Sequence, residues 1–261
     1  MATDPKTIQQ YNQNADNYHR HVSDPTDSTF HSYYEKPAIR AKLPSLEGLD
    51  VISIGCGSGV DTRWLADNGA KRVVGVDISS GLLDIAKANN PDLEFHEMDM
   101  EQLAFPDESF DLAYSSLAIH YVDNWVQPLK EARRVLRPSG LYVFSCGHPL
   151  DSAVGYETKD NFKYALLGRK INLKTRDRII YGDYLAADTD GVKPVKGIVA
   201  DVELTVYHRT FAKMVEQIVA AGFRIEKVAE PQPTEGMKAA DPEIFKQLTK
   251  MPAFMIWVLR K

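Results

Sequence analysis

Three glycines occupy alternate positions, Gly55, Gly57 and Gly59, directly after the apolar run VISI. Glycine in that setting lets a chain turn sharply and lets a ligand approach the backbone closely. A carboxylate, Asp61, follows two residues later, and Asp77 and Asp99 stand at the ends of the next two strand-like runs, RVVGVD and LEFHEMD. A carboxylate at the end of a strand is placed to accept both hydroxyl hydrogens of a ribose. Dinucleotide enzymes share that combination, but their fingerprint is G-x-G-x-x-G with a helix N-terminus aimed at a pyrophosphate. Here the pattern is G-C-G-S-G, one residue shorter. Asp61, in the first turn of the following helix, would repel a phosphate and suit a cationic ligand or one with an ammonium group.

The elements around these residues alternate. VISIG, RVVGVD, LEFHEMD, FDLAYSS and LYVFSCG read as strands, and VDTRWLADNGA, SSGLLDIAKANNP and WVQPLKEARRVLRPSG read as helices between them. The serines at 79 and 80 are N-cap candidates, and Pro128 falls in the first turn of its helix, where proline is tolerated. Such a rhythm predicts an α/β fold, a doubly wound, mostly parallel sheet with helices on both faces. Ligands of such sheets bind beyond the carboxyl ends of the strands, where the strand order reverses. The rhythm breaks after residue 147. Residues 148–205 mix Gly, Pro, Tyr and charges, with short strands expected at RDRIIYGDYL and GIVADVELTVY. An amphipathic helix, TFAKMVEQIVAAGF, then precedes the strands FRIEKVAE and FMIWVLR, with a short helix around 241–248 between them. One α/β domain thus resumes after a long insertion, and loop-rich insertions of that size are usually functional.

The chain has 261 residues, 44% hydrophobic and 26% charged, with a formal net charge of −5. That balance argues against a nucleic-acid partner, whose footprint is basic. Cys56 and Cys146 show neither disulfide nor metal-ligand spacing and suit a reducing compartment. No run is long enough for a membrane span, and the N-terminus lacks an apolar signal core. The expectation is a cytoplasmic protein. His19, His21 and His31 lack carboxylate or cysteine partners at ligand spacing, so no metal site is expected and a solvated N-terminal region is. Cys56 reads as a small residue packed in the turn rather than a nucleophile.

Taken together, VISIGCGSG, VVGVDIS, FHEMDMEQLAFPDESFDLAYSSLAIHYV and LKEARRVLRPSGLYVFS resemble the class I S-adenosylmethionine-dependent methyltransferases over residues 48–147. The resemblance implies a Rossmann-like sheet of seven strands with an antiparallel last strand, and S-adenosyl-L-methionine as cofactor, released as S-adenosyl-L-homocysteine. It implies that the Gly55, Cys56, Gly57 and Gly59 backbone passes the methionine and ribose parts. Asp77 would hold the ribose hydroxyls, with Ile78 packing on the adenine. Asp99 would bond the adenine amino group beside Met100, and Ser115, Ser116 and Leu117 would line the methyl-transfer side. YNQNADNYHRH is similar to the N-terminal helix of small-molecule members, which closes over the cofactor. Tyr11 and Tyr18 lie seven apart on one face, either to stack or hydrogen-bond at the site or to pack on the domain. FSCGHPL and YHRTFAKMVEQIVAAGF resemble a bacterial subgroup related to the ubiquinone- and menaquinone-type enzymes. The implied organisation is an N-terminal segment closing over the cofactor (1–47), a cofactor-binding core (48–147), an inserted substrate-facing lid (148–207) and a completing helix and two strands (208–261).

Methyl transfer from a sulfonium needs alignment and exclusion of water, and a base only where the acceptor must lose a proton. His148, after the fifth strand, is the first candidate, followed by His208 and His120, each also readable as a structural histidine. Thr210 offers an N-cap beside His208. The N-P-P-Y type tetrad of amino-methylating nucleic-acid enzymes is absent, and YSSLAIHY stands in its place. The expected acceptor is therefore a small molecule, methylated on O, N or C, without a nucleic-acid partner. Two rivals remain at this level, a non-catalytic S-adenosylmethionine-binding module and an NAD-type oxidoreductase of the same fold.

Overall fold

The computed structural model describes residues 3–200 and 202–261. Helices α1 (Pro5–Gln13) and α2 (Ala15–Ser23) lead, through a π-helical turn at His31–Glu35, into α3 (Lys36–Arg40). The expected alternation follows: β1 (Asp50–Ile54), α4 (Val60–Asp67), β2 (Arg72–Asp77), α5 (Ser80–Asn89), β3 (Glu94–Glu97) and β4 (Phe110–Ser115). A 3-10 turn at Ile119–Tyr121 precedes α6 (Val126–Val135) and β5 (Leu136–Gly147).

After β5 come a short helix, α7 (Pro149–Ser152), and three hairpins. They are β6 (Gly155–Lys159) with β7 (Phe162–Leu166), β8 (Gly168–Ile171) with β9 (Arg178–Tyr181), and β10 (Val192–Val199) with β11 (Val202–Arg209). The chain then completes the core with α8 (Phe211–Ala220), β12 (Arg224–Ala229), α9 (Glu235–Ala240), α10 (Pro242–Leu248) and β13 (Phe254–Arg260).

Seven strands form one sheet in the order β12-β13-β5-β4-β1-β2-β3. Only β13 runs antiparallel to its neighbours, β5 and β12. The order reverses between β1 and β4, so the carboxyl ends of these strands open a crevice there. Successive residues of the central strands feed opposite faces, and both faces are covered. Ile52, Val74, Phe144 and Trp257 pack with α6 and α8 on one side, and Val51, Val73, Leu112 and Val143 pack with Ile39 and Leu65 on the other. Continuous apolar runs rather than alternation are the consequence.

Local chemistry sets the helix starts. Ser79 Oγ accepts from the Leu82 amide at 3.3 Å to cap α5, and Thr210 Oγ1 accepts from the Lys213 amide at 3.1 Å to cap α8. The helix expected through RPSG stops earlier, at Val135, and the chain enters β5 directly. Pro138 disfavours helical geometry at Arg137, and Arg137 instead pairs with Asp50 at 2.8 Å and Asp111 at 2.6 Å. Tyr11 and Tyr18 lie on two helices, not one, because the helix is interrupted at Asn14. Among the described residues, no helix is long and apolar enough to cross a membrane.

Candidate functional site

The glycine turn is built by the strand end and the cavity together. Gly55, Gly57 and Gly59 all have positive φ, at 68°, 54° and 83°. A Cβ on Gly55 would lie 2.3 Å from the Ala118 Cβ, whereas one on Gly57 would meet nothing nearer than the Tyr18 ring at 3.9 Å. Gly55 therefore lets the loop after β4 close on the turn, and Gly57 presents bare backbone to open space. Gly59 serves the start of α4 and lines neither of the two cavities beside the turn.

That space is a cavity of about 720 Å³ counting its open mouth. Gly55, Gly57, Asp77, Ile78, Asp99, Met100, Ser116 and Leu117 line it, as do Thr7, Ile8, Tyr11 and Tyr18 from the N-terminal helices and Tyr121 from the 3-10 turn. Asp77 is held rigidly: one carboxylate oxygen accepts from the Gly57 amide at 2.8 Å and the other from the Ser79 amide at 2.9 Å. Burial lifts its carboxyl above the ordinary value, and the amides of Ser79, Gly57 and Ile78 oppose that rise. Asp99 accepts from the Glu101 amide at 2.9 Å. Three tyrosines roof the cavity, with the Tyr11 and Tyr121 hydroxyls 2.6 Å apart and the Tyr11 and Tyr18 rings edge to face at 5.0 Å. Burial raises all three phenols, Tyr121 to about 12, so they remain neutral donors.

A second cavity adjoins the first through Tyr18, Gly55, Gly57 and Ser116, and adds Cys56, Asp61, His31 and Lys36. Asp61 faces it, as its spacing predicts, yet one of its oxygens already accepts from Arg40 at 2.7 Å. The Cys56 thiol is pushed well above its usual range by burial, with Asp77 adding to the effect, so it stays protonated. Burial, with Lys36 and His21 nearby, lowers His31 to about 4. His31 is thus a neutral imidazole in a cavity wall, not part of a solvated region. Among the described residues, no three His, Cys, Asp or Glu side chains gather to hold a metal.

Glu35 is the polar residue that sequence reasoning missed. Fully buried on the π-helical turn, it accepts from Ser116 Oγ at 3.0 Å and from Ser145 Oγ, while its Oε2 has no partner. Burial foremost, with repulsion from Asp61, raises its carboxyl to about 7. Ser145 Oγ in turn accepts from the Leu117 amide at 3.0 Å, where Leu117 has φ 50°. Glu35 thereby ties the N-terminal segment to the loop that carries Ser116 and Leu117. π-helical turns recur at functional sites, but only a glutamate inside the aromatic run FHSYYEKPAI hints at this one.

Besides Gly59, four expected site residues fall elsewhere. Ser115 lines neither cavity: it is the last residue of β4 and its side chain is buried in the sheet, while Ser116, one residue on, lines both. His148 is buried and occupied. Its Nδ1 accepts from the Leu150 amide at 3.2 Å, capping α7, and its Nε2 donates to Glu230 at 3.2 Å. His208 accepts from Ser152 Oγ at 2.7 Å and donates to the Tyr184 carbonyl at 2.8 Å. Burial lowers both imidazoles. They fasten α7 to β11, the Tyr184 loop and the segment after β12, and line neither cavity. His120, beside Tyr121, also lines neither, and burial followed by the Arg209 charge lowers it to about 4. No described residue from 148–207 lines either cavity; the β10–β11 hairpin instead holds α1, with the Thr205 amide donating to Thr7 Oγ1 at 3.0 Å.

Comparison with known proteins gives the fold a family. A family model described as a methyltransferase domain matches residues 52–144. A crystal structure of an S-adenosylmethionine-dependent methyltransferase from Mesorhizobium loti is 31% identical, with a TM-score of 0.69, over 87% of this chain and 97% of that one. An uncharacterized Haemophilus influenzae protein is 27% identical over 240 residues, 87% of each chain. A malonyl-[acyl-carrier protein] O-methyltransferase from Serratia marcescens is 34% identical over 98 residues, only 38% of each chain.

Proposed function

The chain belongs to the class I S-adenosylmethionine-dependent methyltransferases, and from that premise we propose that it methylates an O, N or C atom of a small molecule. The observation that carries the cofactor part of this reading is the single cavity in which bare Gly57 backbone, a rigid Asp77 and Asp99 meet. Gly57 leaves room where any Cβ would intrude, and Asp77 has its acceptor oxygens oriented by two amides. In this reading Asp77 holds the ribose hydroxyls, Ile78 and Met100 pack against the adenine, and Asp99 accepts from its amino group. Gly55, Cys56, Ser116 and Leu117 face the methionine part, toward the second cavity. There Asp61 offers its free oxygen to an ammonium and Lys36 its charge to a carboxylate.

When bound, S-adenosylmethionine supplies an electrophilic methyl for in-line displacement. The protein's part is alignment and dryness. Tyr11, Tyr18 and Tyr121 roof the cavity, and β10–β11 holds α1 in place over it, so the described N-terminal helices act as the cover. A roof of two short helices admits a metabolite more readily than a polymer, and the acidic chain agrees. His120 is the one histidine of the original three with an imidazole nitrogen, Nδ1, left without a partner. It lines neither cavity, so it backs the roof residue Tyr121 rather than touching the acceptor. Free thiols at Cys56 and Cys146 support a cytoplasmic setting.

Calorimetry tests the cofactor assignment: Asp77→Ala should weaken S-adenosylmethionine binding by about 1–3 kcal/mol, and full affinity in a folded variant would reject it. A metabolite extract incubated with methyl-labelled cofactor tests the acceptor class. Label in a small molecule supports the reading; cofactor binding without transfer to any fraction would make the protein a binding module.

A further inference from the structure

Residues 155–181, the hairpins β6–β7 and β8–β9, contain no buried residue. Neither hairpin joins another sheet. Two-stranded hairpins are marginal on their own, and these present unpaired edges. They also carry large apolar side chains in the open: Leu173 is 83% exposed, Ile180 68%, Phe162 66%, Tyr156 63% and Ile179 54%. Scattered apolar residues on a surface need no explanation, but a contiguous segment of them with no core of its own does.

Both hairpins leave the body through one neck. The Asp183 amide donates to the Ala153 carbonyl at 2.9 Å, and Gly182 is so close that a Cβ there would lie 2.4 Å from the same oxygen. The pair is therefore one arm fixed at its root. Its charge is opposite to that of the body. Of the chain's 31 Lys and Arg and 36 Asp and Glu, seven and three fall in residues 155–181, leaving 24 against 33 elsewhere.

We propose that residues 155–181 are a dimerisation arm that packs across the acidic body of a second copy of this chain, while the second copy's arm packs back in the same way. Arm against arm would oppose like charges. Arm against body pairs opposite ones, and a two-fold axis covers both arms at once. The body supplies apolar receivers outside the arm, with Val219 60%, Met251 45% and Phe211 42% exposed. An acyl-carrier-like acidic protein or an anionic membrane would satisfy the charge too, but neither is present in equal amount with every arm, as a second copy is.

Analytical ultracentrifugation of the full chain decides the matter. The expected result is a species of twice 29.3 kDa whose dissociation constant rises at least about tenfold between low and high salt. The double variant Phe162→Asp, Ile180→Asp should sediment as a monomer with S-adenosylmethionine affinity unchanged by calorimetry. Lys163→Glu with Lys170→Glu, which leaves the apolar residues intact, should weaken the dimer in the same direction. A wild-type monomer at tens of micromolar in low salt overturns the proposal, as does a dimer indifferent to both variants. Binding of that monomer to phosphatidylglycerol vesicles would assign the arm to a membrane instead. Because cofactor affinity is read separately, failure of the arm proposal leaves the methyltransferase assignment standing.

Discussion

The crevice at the ends of β1 and β4 and the arm at residues 155–181 represent opposite ways of using a backbone. In the crevice each functional group has its orientation set by others: Asp77 by two amides, Leu117 by Ser145, and Ser116 by Glu35. In the arm, hairpin hydrogen bonds are satisfied but no side chain is buried. The difference shows where folding free energy is stored. The crevice is part of the cooperative core, so any change there is felt in stability and binding together. The arm draws little from the fold of its own chain.

The largest break in that contrast should come from Gly55→Ala. Its φ of 68° and a Cβ 2.3 Å from Ala118 predict a loss on the order of 3 kcal/mol, read by urea unfolding, together with lost cofactor binding. A variant of wild-type stability would show that the turn is softer than its geometry.

Glu35→Gln should give the next effect, with a distinctive pH dependence. The folded carboxyl is raised from 4.5 to about 7, so the folded chain holds this proton more tightly than the unfolded one. Its stabilising contribution is complete below about pH 4.5 and is lost as pH rises through about 7. The glutamine variant should be more stable than wild type at pH 8, by on the order of 2 kcal/mol, and the gap should close toward pH 4.5. A pH-independent gap would mean that Glu35 is not desolvated as described. His31 and His120, both lowered to about 4, act in the opposite sense, their contribution present above about 6.5 and lost as pH falls through 4.

The smallest effect belongs to the arm. Ile180→Thr should change the unfolding free energy of dilute, monomeric chain by less than about 0.5 kcal/mol. A loss of 2 kcal/mol, on the scale of burying a whole side chain, would mean that the arm docks on its own body.

Much of the crevice was legible because its signals are local. Apolar runs ending in Gly55, Asp77 and Asp99 place these residues at strand ends, and strand ends of a parallel sheet share one edge. The Ser115–Ser116 pair shows the limit of that reasoning. Side-chain direction alternates at every residue, so where β4 stops decides which serine meets the cavity. The histidines show another limit. His148 and His208 have the type and position of a base, but Leu150, Glu230, Ser152 and Tyr184 claim their nitrogens. Leu150 is local, but Glu230, Ser152 and Tyr184 come from distant segments and carry no spacing to read.

By itself the sequence determined the fold class, because periodicity and glycine placement act over a few residues, and its resemblance to a known family supplied the cofactor. Only the tertiary structure decided which polar groups lose their water. Glu35, Ser116 and Ser145 are far apart in the chain, and their network exists because three segments bury one another. Desolvation is a collective property of packing, and no single stretch encodes it.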